Sequence, residues 1–236
     1  MAGTVHDALV LAPTAKAQGT VDLPGSKSIS NRALLLAALA QGTTTLHGVL
    51  AADDVERMRE ALAALGVTMA PGAGPRDVVV QGCGGRFPAA KADLFLGNAG
   101  TAVRPLTAAL AILGGDYVVR GVPRMHERPI GDLVEPLRAL GCAIRELGTP
   151  GYPPLAIGAS QAQAGGEVAI RGDVSSQFLS ALLMALPLAR GAAAAATTVR
   201  LTTPLVSRPY VEMTAAVMRW FRHDDIAVHD DLIVVG

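Results

Sequence analysis

One pattern is written three times along the chain, and a repeat of this period restricts the possible folds more than any other feature of the sequence. The runs Leu34–Leu39 (LLLAAL), Pro105–Leu110 (PLTAAL) and Leu179–Met184 (LSALLM) are Ala/Leu-rich and helical in character, with starts 71 and 74 residues apart. A more charged run with apolar residues at helical spacing follows each of them, at Asp54–Leu65, Ile130–Leu140 and Pro209–Phe221. Gly66 and Gly141 close the first two, where helix ends favour glycine. Short β-like runs fill the gaps: TTTLHGV and DYVVRGV between helices, then VTMA with DVVVQ, CAIRE with PLAIG, and IAVHD with LIVVG. Each unit reads strand, helix, strand, helix, strand, strand, from about Val21 to Gly236.

Composition says how such units pack. The 236 residues include 42 alanines, only 3% aromatics and 17% charged residues, against about 25% charged in ordinary soluble domains. Helices this apolar and this poor in charge are enclosed on several faces rather than laid on a surface. The expected fold is therefore α/β: three β-α-β-α-β-β units, about 21–82, 83–158 and 159–236, whose parallel inner helices are wrapped by sheets. Gly/Pro clusters at 71–75 and 148–154 read as hairpin loops, and the alanine run at 191–198 stays open between loop and strand. Equal numbers of basic and acidic residues, 20 each, exclude a whole-chain nucleic-acid binder or polybasic membrane anchor. The most apolar stretch, Phe178–Ala189, falls short of the roughly 20 residues a membrane span needs. The N-terminus lacks a secretory pattern. Cys83 and Cys142 have no metal-site or disulfide spacing, which suits the cytoplasm; together with Trp220 they read as packing residues.

A polar phrase precedes each inner helix: Pro24–Arg32 (PGSKSISNR), Gly97–Arg104 (GNAGTAVR) and Gly172–Gln177 (GDVSSQ). Taken singly, each is explained by helix capping. Taken together, three units related by rotation bring three helix N-termini to one rim, where free N–H groups and positive dipole ends favour anions. Lys27, Arg32 and Arg104 add full charges there. Phosphate-loop and dinucleotide motifs both fail on glycine spacing. A fourth phrase, Arg124–Asp132, puts Arg128 at the predicted start of the next helix, where a cation opposes the dipole unless an anion binds or Glu127 or Asp132 pairs with it. Asp53 and Asp54 read as N-caps, and His223-Asp224-Asp225 and His229-Asp230-Asp231 as solvated strand edges rather than a metal site.

At these phrases the chain resembles the EPSP synthases, the 3-phosphoshikimate 1-carboxyvinyltransferases of aromatic amino-acid biosynthesis that glyphosate inhibits. The matching text is LPGSKSISNRALLLAALAQG, LGNAGTAVRPL, RMHERPIGDLV, GDVSSQFLSALL and LVSRPYVEMT, in family order. The resemblance implies transfer of the enolpyruvyl group of phosphoenolpyruvate to the 5-hydroxyl of shikimate 3-phosphate, with phosphate released and no metal or organic cofactor. Lys27 looks like the catalytic lysine that contacts both substrates. Ser28, Arg32, Ser175, Ser176, Gln177 and Ser207 resemble shikimate 3-phosphate ligands. Asn98, Gly100, Arg128 and Gln177 resemble the phosphoenolpyruvate side, and Thr101, Arg104 and Tyr210 the supporting positions.

The sister UDP-N-acetylglucosamine enolpyruvyl transferases carry a Lys-Asn pair where Ser28 follows Lys27 here, and usually a Cys in the loop at 123–128, which has none. The acid and base carboxylates of the family come from a second domain that no part of this chain matches. The resemblance thus implies the N-terminal half of the enzyme, a monomer inactive alone, with residues 1–20 belonging to the absent domain and that C-terminal domain as partner. Neither nucleic acid nor membrane is an expected partner. The alternative from another class is a non-catalytic anion-binding module of the same fold.

Overall fold

The computed structural model describes residues 12–192 and 195–236. Residues 1–11 of the N-terminal segment, and Ala193 and Ala194 of the alanine run, lie outside the described residues. The first unit comprises α1 (Lys27–Leu39), β1 (Thr43–Leu46), α2 (Asp53–Ala64), β2 (Thr68–Pro71) and β3 (Val78–Gln81). The second comprises β4 (Lys91–Phe95), α3 (Gly100–Leu113), β5 (Asp116–Arg120), a one-turn helix α4 (Pro123–His126), α5 (Gly131–Ala139), β6 (Cys142–Glu146) and β7 (Leu155–Ser160). The third comprises β8 (Glu167–Ile170), α6 (Ser176–Ala185), β9 (Thr197–Leu201), α7 (Arg208–Trp220), β10 (Ile226–Val228) and β11 (Leu232–Val235).

The sheets run β4-β5-β7-β6 and β8-β9-β11-β10, the first pair parallel and the rest antiparallel. The first unit keeps only β1-β3-β2. The strand expected from about Val21 is absent there: Val21 and Leu23 lie exposed in irregular backbone, and among the described residues no strand pairs with the β1 edge they would have covered. That segment offers just two apolar residues between Gly19 and Pro24, and Pro24 has no N–H to give a ladder. Trp220, read as packing, stands 64% exposed beside this edge, in the wall of a groove with Ile29 and Ala33.

The inner helices are enclosed as the composition predicts. Twelve of the 14 residues of α3 and nine of the ten of α6 are buried, against four of the twelve of α2. Buried alanines on α1 and α3 (Ala33, Ala37, Ala38, Ala102, Ala108, Ala109 and Ala111) let helices approach closely. Gly66 and Gly141 end α2 and α5 with φ of +87° and +91°, the left-handed conformation that only glycine adopts without strain. In the alanine run, β9 begins at Thr197. Cys142 on the edge strand β6 is buried, and burial pushes its thiol up to about 11. No helix among the described residues is long and apolar enough to cross a membrane.

One ion pair fastens the second unit. Arg138 on α5 donates to the Glu146 carboxylate on β6 and, at 2.9 Å, to the Ile144 carbonyl, and the bond from Arg138 to Glu146 holds that carboxyl below its ordinary value. A depressed carboxyl contributes stability above its unfolded pKa and loses it as pH falls through the folded one. Glu146→Gln is expected to cost about 1 kcal/mol at pH 7. Urea melts of the two proteins should converge on acidification below the ordinary carboxylate range.

Candidate active site

The first turns of α1, α3 and α6 open on one cavity of about 440 Å³. Two of the starts are capped as capping preferences dictate. Ser26 accepts from the Ile29 N–H at 3.4 Å, and Ser175 accepts from the Gln177 N–H at 3.2 Å. Ser175 lines the cavity, and accepting a bond leaves its O–H proton free to donate. The α3 start has no side-chain cap; its Gly100 N–H donates to the Asn98 carbonyl at 2.9 Å, and the Ala102 and Val103 N–H groups donate to the Ala99 carbonyl. Ser207, the residue before α7, takes φ +56° without capping the helix with its hydroxyl. A non-glycine residue held there is strained, and such strain gathers where a site requires a particular placement.

Three guanidiniums surround this space, and none pairs with a carboxylate among the described residues. Arg32 is 6% exposed and donates to Thr214 Oγ1 at 2.7 Å, the Ser28 carbonyl at 2.9 Å and Ser180 Oγ at 3.2 Å. Burial pulls its pKa down to about 10. Arg104 lies under the cavity floor, where it donates to Gln177 Oε1 at 2.7 Å and stands 5.1 Å from the Phe178 ring centre. Burial first, and the like charge of Arg128 second, lower it to about 10 as well. Arg128 donates to the Asn98 carbonyl at 2.8 Å and to its Oδ1 at 3.3 Å, which aims the guanidinium at the start of α3. Gly100 makes room for that approach, since a Cβ there would stand 2.7 Å from Arg104 Nη1 and closer still to the Arg128 guanidinium. Cations gathered around helix N-termini without counter-charges form a site for a polyanion.

The structure brings Lys27, Ser28, Arg32, Gly100, Thr101, Arg128, Ser175, Ser176, Gln177, Ser207 and Tyr210 to the cavity wall. Asn98 and Arg104 stand behind the wall and act through Arg128 and Gln177. A sequence model of EPSP synthase (3-phosphoshikimate 1-carboxyvinyltransferase) matches residues 11–230. The chain belongs to the EPSP synthase family.

Relatives agree with that membership. The 3-phosphoshikimate 1-carboxyvinyltransferase of Laribacter hongkongensis is 59% identical over 213 residues, which is 90% of this chain and 49% of that protein. The protein of that name in Cellvibrio japonicus is 58% identical over 211 residues, 89% of this chain and 48% of its own. Among solved structures, the EPSP synthase of Acinetobacter baumannii superposes with a TM-score of 0.76 at 29% identity, over 92% of this chain and 47% of that one. The chain thus spans about half the length of the relatives it matches.

Two local expectations need correction. Asp53 and Asp54 do not cap α2: the cap position is Ala52, Asp53 pairs with Arg57 along the helix, and Asp54 turns into the cavity toward Lys27. Arg128 is not in the first turn of α5, which starts at Gly131; it sits in the bend after α4, and its neighbour Glu127 pairs with Arg124 instead. The extra helical turn Pro123–His126 displaces it, with Pro123 at a position where its missing N–H costs nothing. Sequence reading also missed Ser180 and Thr214. Each lies four residues, about one turn, past a cavity residue, Ser176 or Tyr210, and a lone hydroxyl in an otherwise apolar buried run was their available signal.

Proposed function

We propose that this chain is the phosphate-gathering half of a 3-phosphoshikimate 1-carboxyvinyltransferase, acting in the cytoplasm and joined in the active enzyme by the second half that its relatives carry. The observation that carries the reading is the cavity at three helix starts, lined by Lys27, Arg32 and Arg128 with Arg104 behind the wall, of which the three arginines lack carboxylate partners among the described residues.

In this reading shikimate 3-phosphate presents its phosphate to the hydroxyls of Ser175, Ser176 and Ser207, with Ser28 and Arg32 holding the rest of the ligand. Charged hydrogen bonds from short hydroxyls and a buried guanidinium suit a dianion better than a neutral sugar. Phosphoenolpyruvate lies between Arg128, Asn98 and the Gly100 backbone, with Gln177 between the two substrates. Lys27 reaches both ligands, and Thr101, Arg104 and Tyr210 support the wall. Enolpyruvyl transfer adds the 5-hydroxyl oxygen to the central carbon of phosphoenolpyruvate as its methylene takes a proton, then expels phosphate and returns that proton. General acid and base groups must stand at both reacting atoms, and the second half supplies them. Two unpaired thiols, Cys83 and Cys142, fit a reducing compartment.

Titration of the chain with shikimate 3-phosphate, followed by calorimetry and backbone NMR, tests this. Weak saturable binding is expected, with Lys27, Arg32 and Ser175 shifting together and no phosphate released when phosphoenolpyruvate is added. Silence at those residues overturns the reading in favour of a non-catalytic module. Phosphate release by the chain alone overturns the claim that it is a half-site.

A further inference from the structure

We propose that Asp54 is a positioning residue for the Lys27 ammonium, held by a hydrogen-bonded line that runs from Asn31 through Thr101 to the carboxylate. Lys27 is the first residue of α1, where its charge faces the positive end of the helix dipole, and the first turn of α1 contains no acidic residue. The counter-charge comes from another helix. Asp54 Oδ2 lies 3.5 Å from Lys27 Nζ, and Asp54 itself occupies the first turn of α2, where a carboxylate is favoured.

The carboxylate is not free to follow the lysine. Thr101 Oγ1 on α3 donates to the same Oδ2 at 2.8 Å, and Asn31 Nδ2 on α1 donates to Thr101 Oγ1 at 2.8 Å. The amide occupies an acceptor lone pair of the hydroxyl, which leaves its proton for Asp54. Asn31 Nδ2 also lies 3.4 Å from the Asp54 carbonyl. Turning the amide over would set two oxygens against each other at that point. In the orientation present, Asn31 is 1% exposed and its Oδ1 is buried with no hydrogen-bond partner among the described residues. Two acceptors, the Asp54 carbonyl and Thr101 Oγ1, stand before the amide nitrogen, and they set the direction of the line.

Its outcome is a lysine with half its surface exposed, tethered loosely enough to turn to an incoming phosphate and anchored to one place when none is there. The functional consequence rests on the proposed reading of the cavity; the positioning itself does not. Three lysines in the whole chain, Lys16, Lys27 and Lys91, make the ammonium groups separately observable. In lysine-labelled protein, the Nζ signal of Lys27, read through its Cε protons, should move in Asp54→Asn and in Thr101→Val, stay in place in Thr101→Ser, and leave Lys16 and Lys91 unmoved throughout. Thr101→Val keeps the carboxylate and the side-chain shape but cuts the tether, so thermal melts check that it folds. Shikimate 3-phosphate affinity should fall about three- to tenfold in Thr101→Val, the worth of one net hydrogen bond, and recover in Thr101→Ser. A Lys27 signal unmoved in both Asp54→Asn and Thr101→Val overturns the positioning role. A wild-type chain that ignores shikimate 3-phosphate overturns the reading of the cavity and leaves the lysine result standing.

Discussion

Arg32→Met is expected to lower the affinity for shikimate 3-phosphate about a hundredfold, the scale of the roughly 2–5 kcal/mol lost when one member of a buried charged contact is truncated. The same substitution should leave the fold at neutral pH as stable as the parent or slightly more so. The two effects have one cause. Burial lowers the Arg32 pKa to about 10, so folding takes a charged group out of water with hydroxyls and a carbonyl, but no carboxylate, to receive it. For a base with a depressed folded pKa, that cost is fully present below about pH 10 and shrinks as pH rises further, because the folded state then releases the proton before the unfolded chain does. Methionine removes the cost at every pH. The groups left behind are not stranded, since Thr214 Oγ1 lies 2.9 Å from Ser180 Oγ and donates 2.7 Å to the Tyr210 carbonyl. Calorimetric titration reads the binding loss, and thermal melts at pH 7 read the stability. A variant that melts many degrees lower would show that Arg32 is a structural strut rather than a ligand held in reserve.

Gly82→Ala should destabilise the chain by about 2–3 kcal/mol or more, whereas Gly100→Ala should barely change stability and instead alter the site. A Cβ is obstructed at both positions, but by different atoms. At Gly82 it meets the carbonyl oxygen of Ala40, the Ala40 carbonyl carbon at 2.8 Å and the Ala37 oxygen at 2.9 Å. Those are backbone atoms at the C-terminal end of α1, and the Gly82 N–H is itself bonded to the Gly42 carbonyl at 2.8 Å. Relief would require β3 and α1 to separate. At Gly100 the obstacles are the guanidinium ends of Arg128 and Arg104, which can swing on long side chains. Phosphoenolpyruvate and glyphosate binding by the complete enzyme should weaken in Gly100→Ala, with shikimate 3-phosphate affinity nearly unchanged. Urea midpoints separate the first variant from the second, and equal losses for all three ligands in Gly100→Ala would contradict the assignment of that corner.

Legibility in the sequence follows the range of the interactions. The six main helices and the hairpins were readable because periodicity, caps and glycine stops act within a few residues; Gly66 and Gly141 stand in the left-handed conformation their positions predict. The polar phrases could be matched to one rim because the three-unit repeat fixes where each helix begins. What failed was also local in form and decided elsewhere. Asp54 has the look of a helix cap, yet its carboxylate answers to Lys27 and to Thr101, 47 residues on. Val21 and Leu23 alternate as a strand should, but a strand needs a partner edge that accepts it. Trp220 sits on a helix whose apolar face is otherwise covered, and its exposure follows from the β1 edge next to it, unpaired among the described residues.

By itself, then, the sequence determined the repeating unit, the enclosure of three alanine-rich helices and the presence of a polar, cationic phrase at each helix start, all properties set by neighbours along the chain. Only the tertiary structure decided which of those polar groups act together. Arg32 finds Thr214 across 182 residues and Arg104 finds Gln177 across 73. Such pairings depend on how the units rotate and close on one another, a packing outcome that no local pattern contains, and it is this closure that leaves buried cations around one cavity.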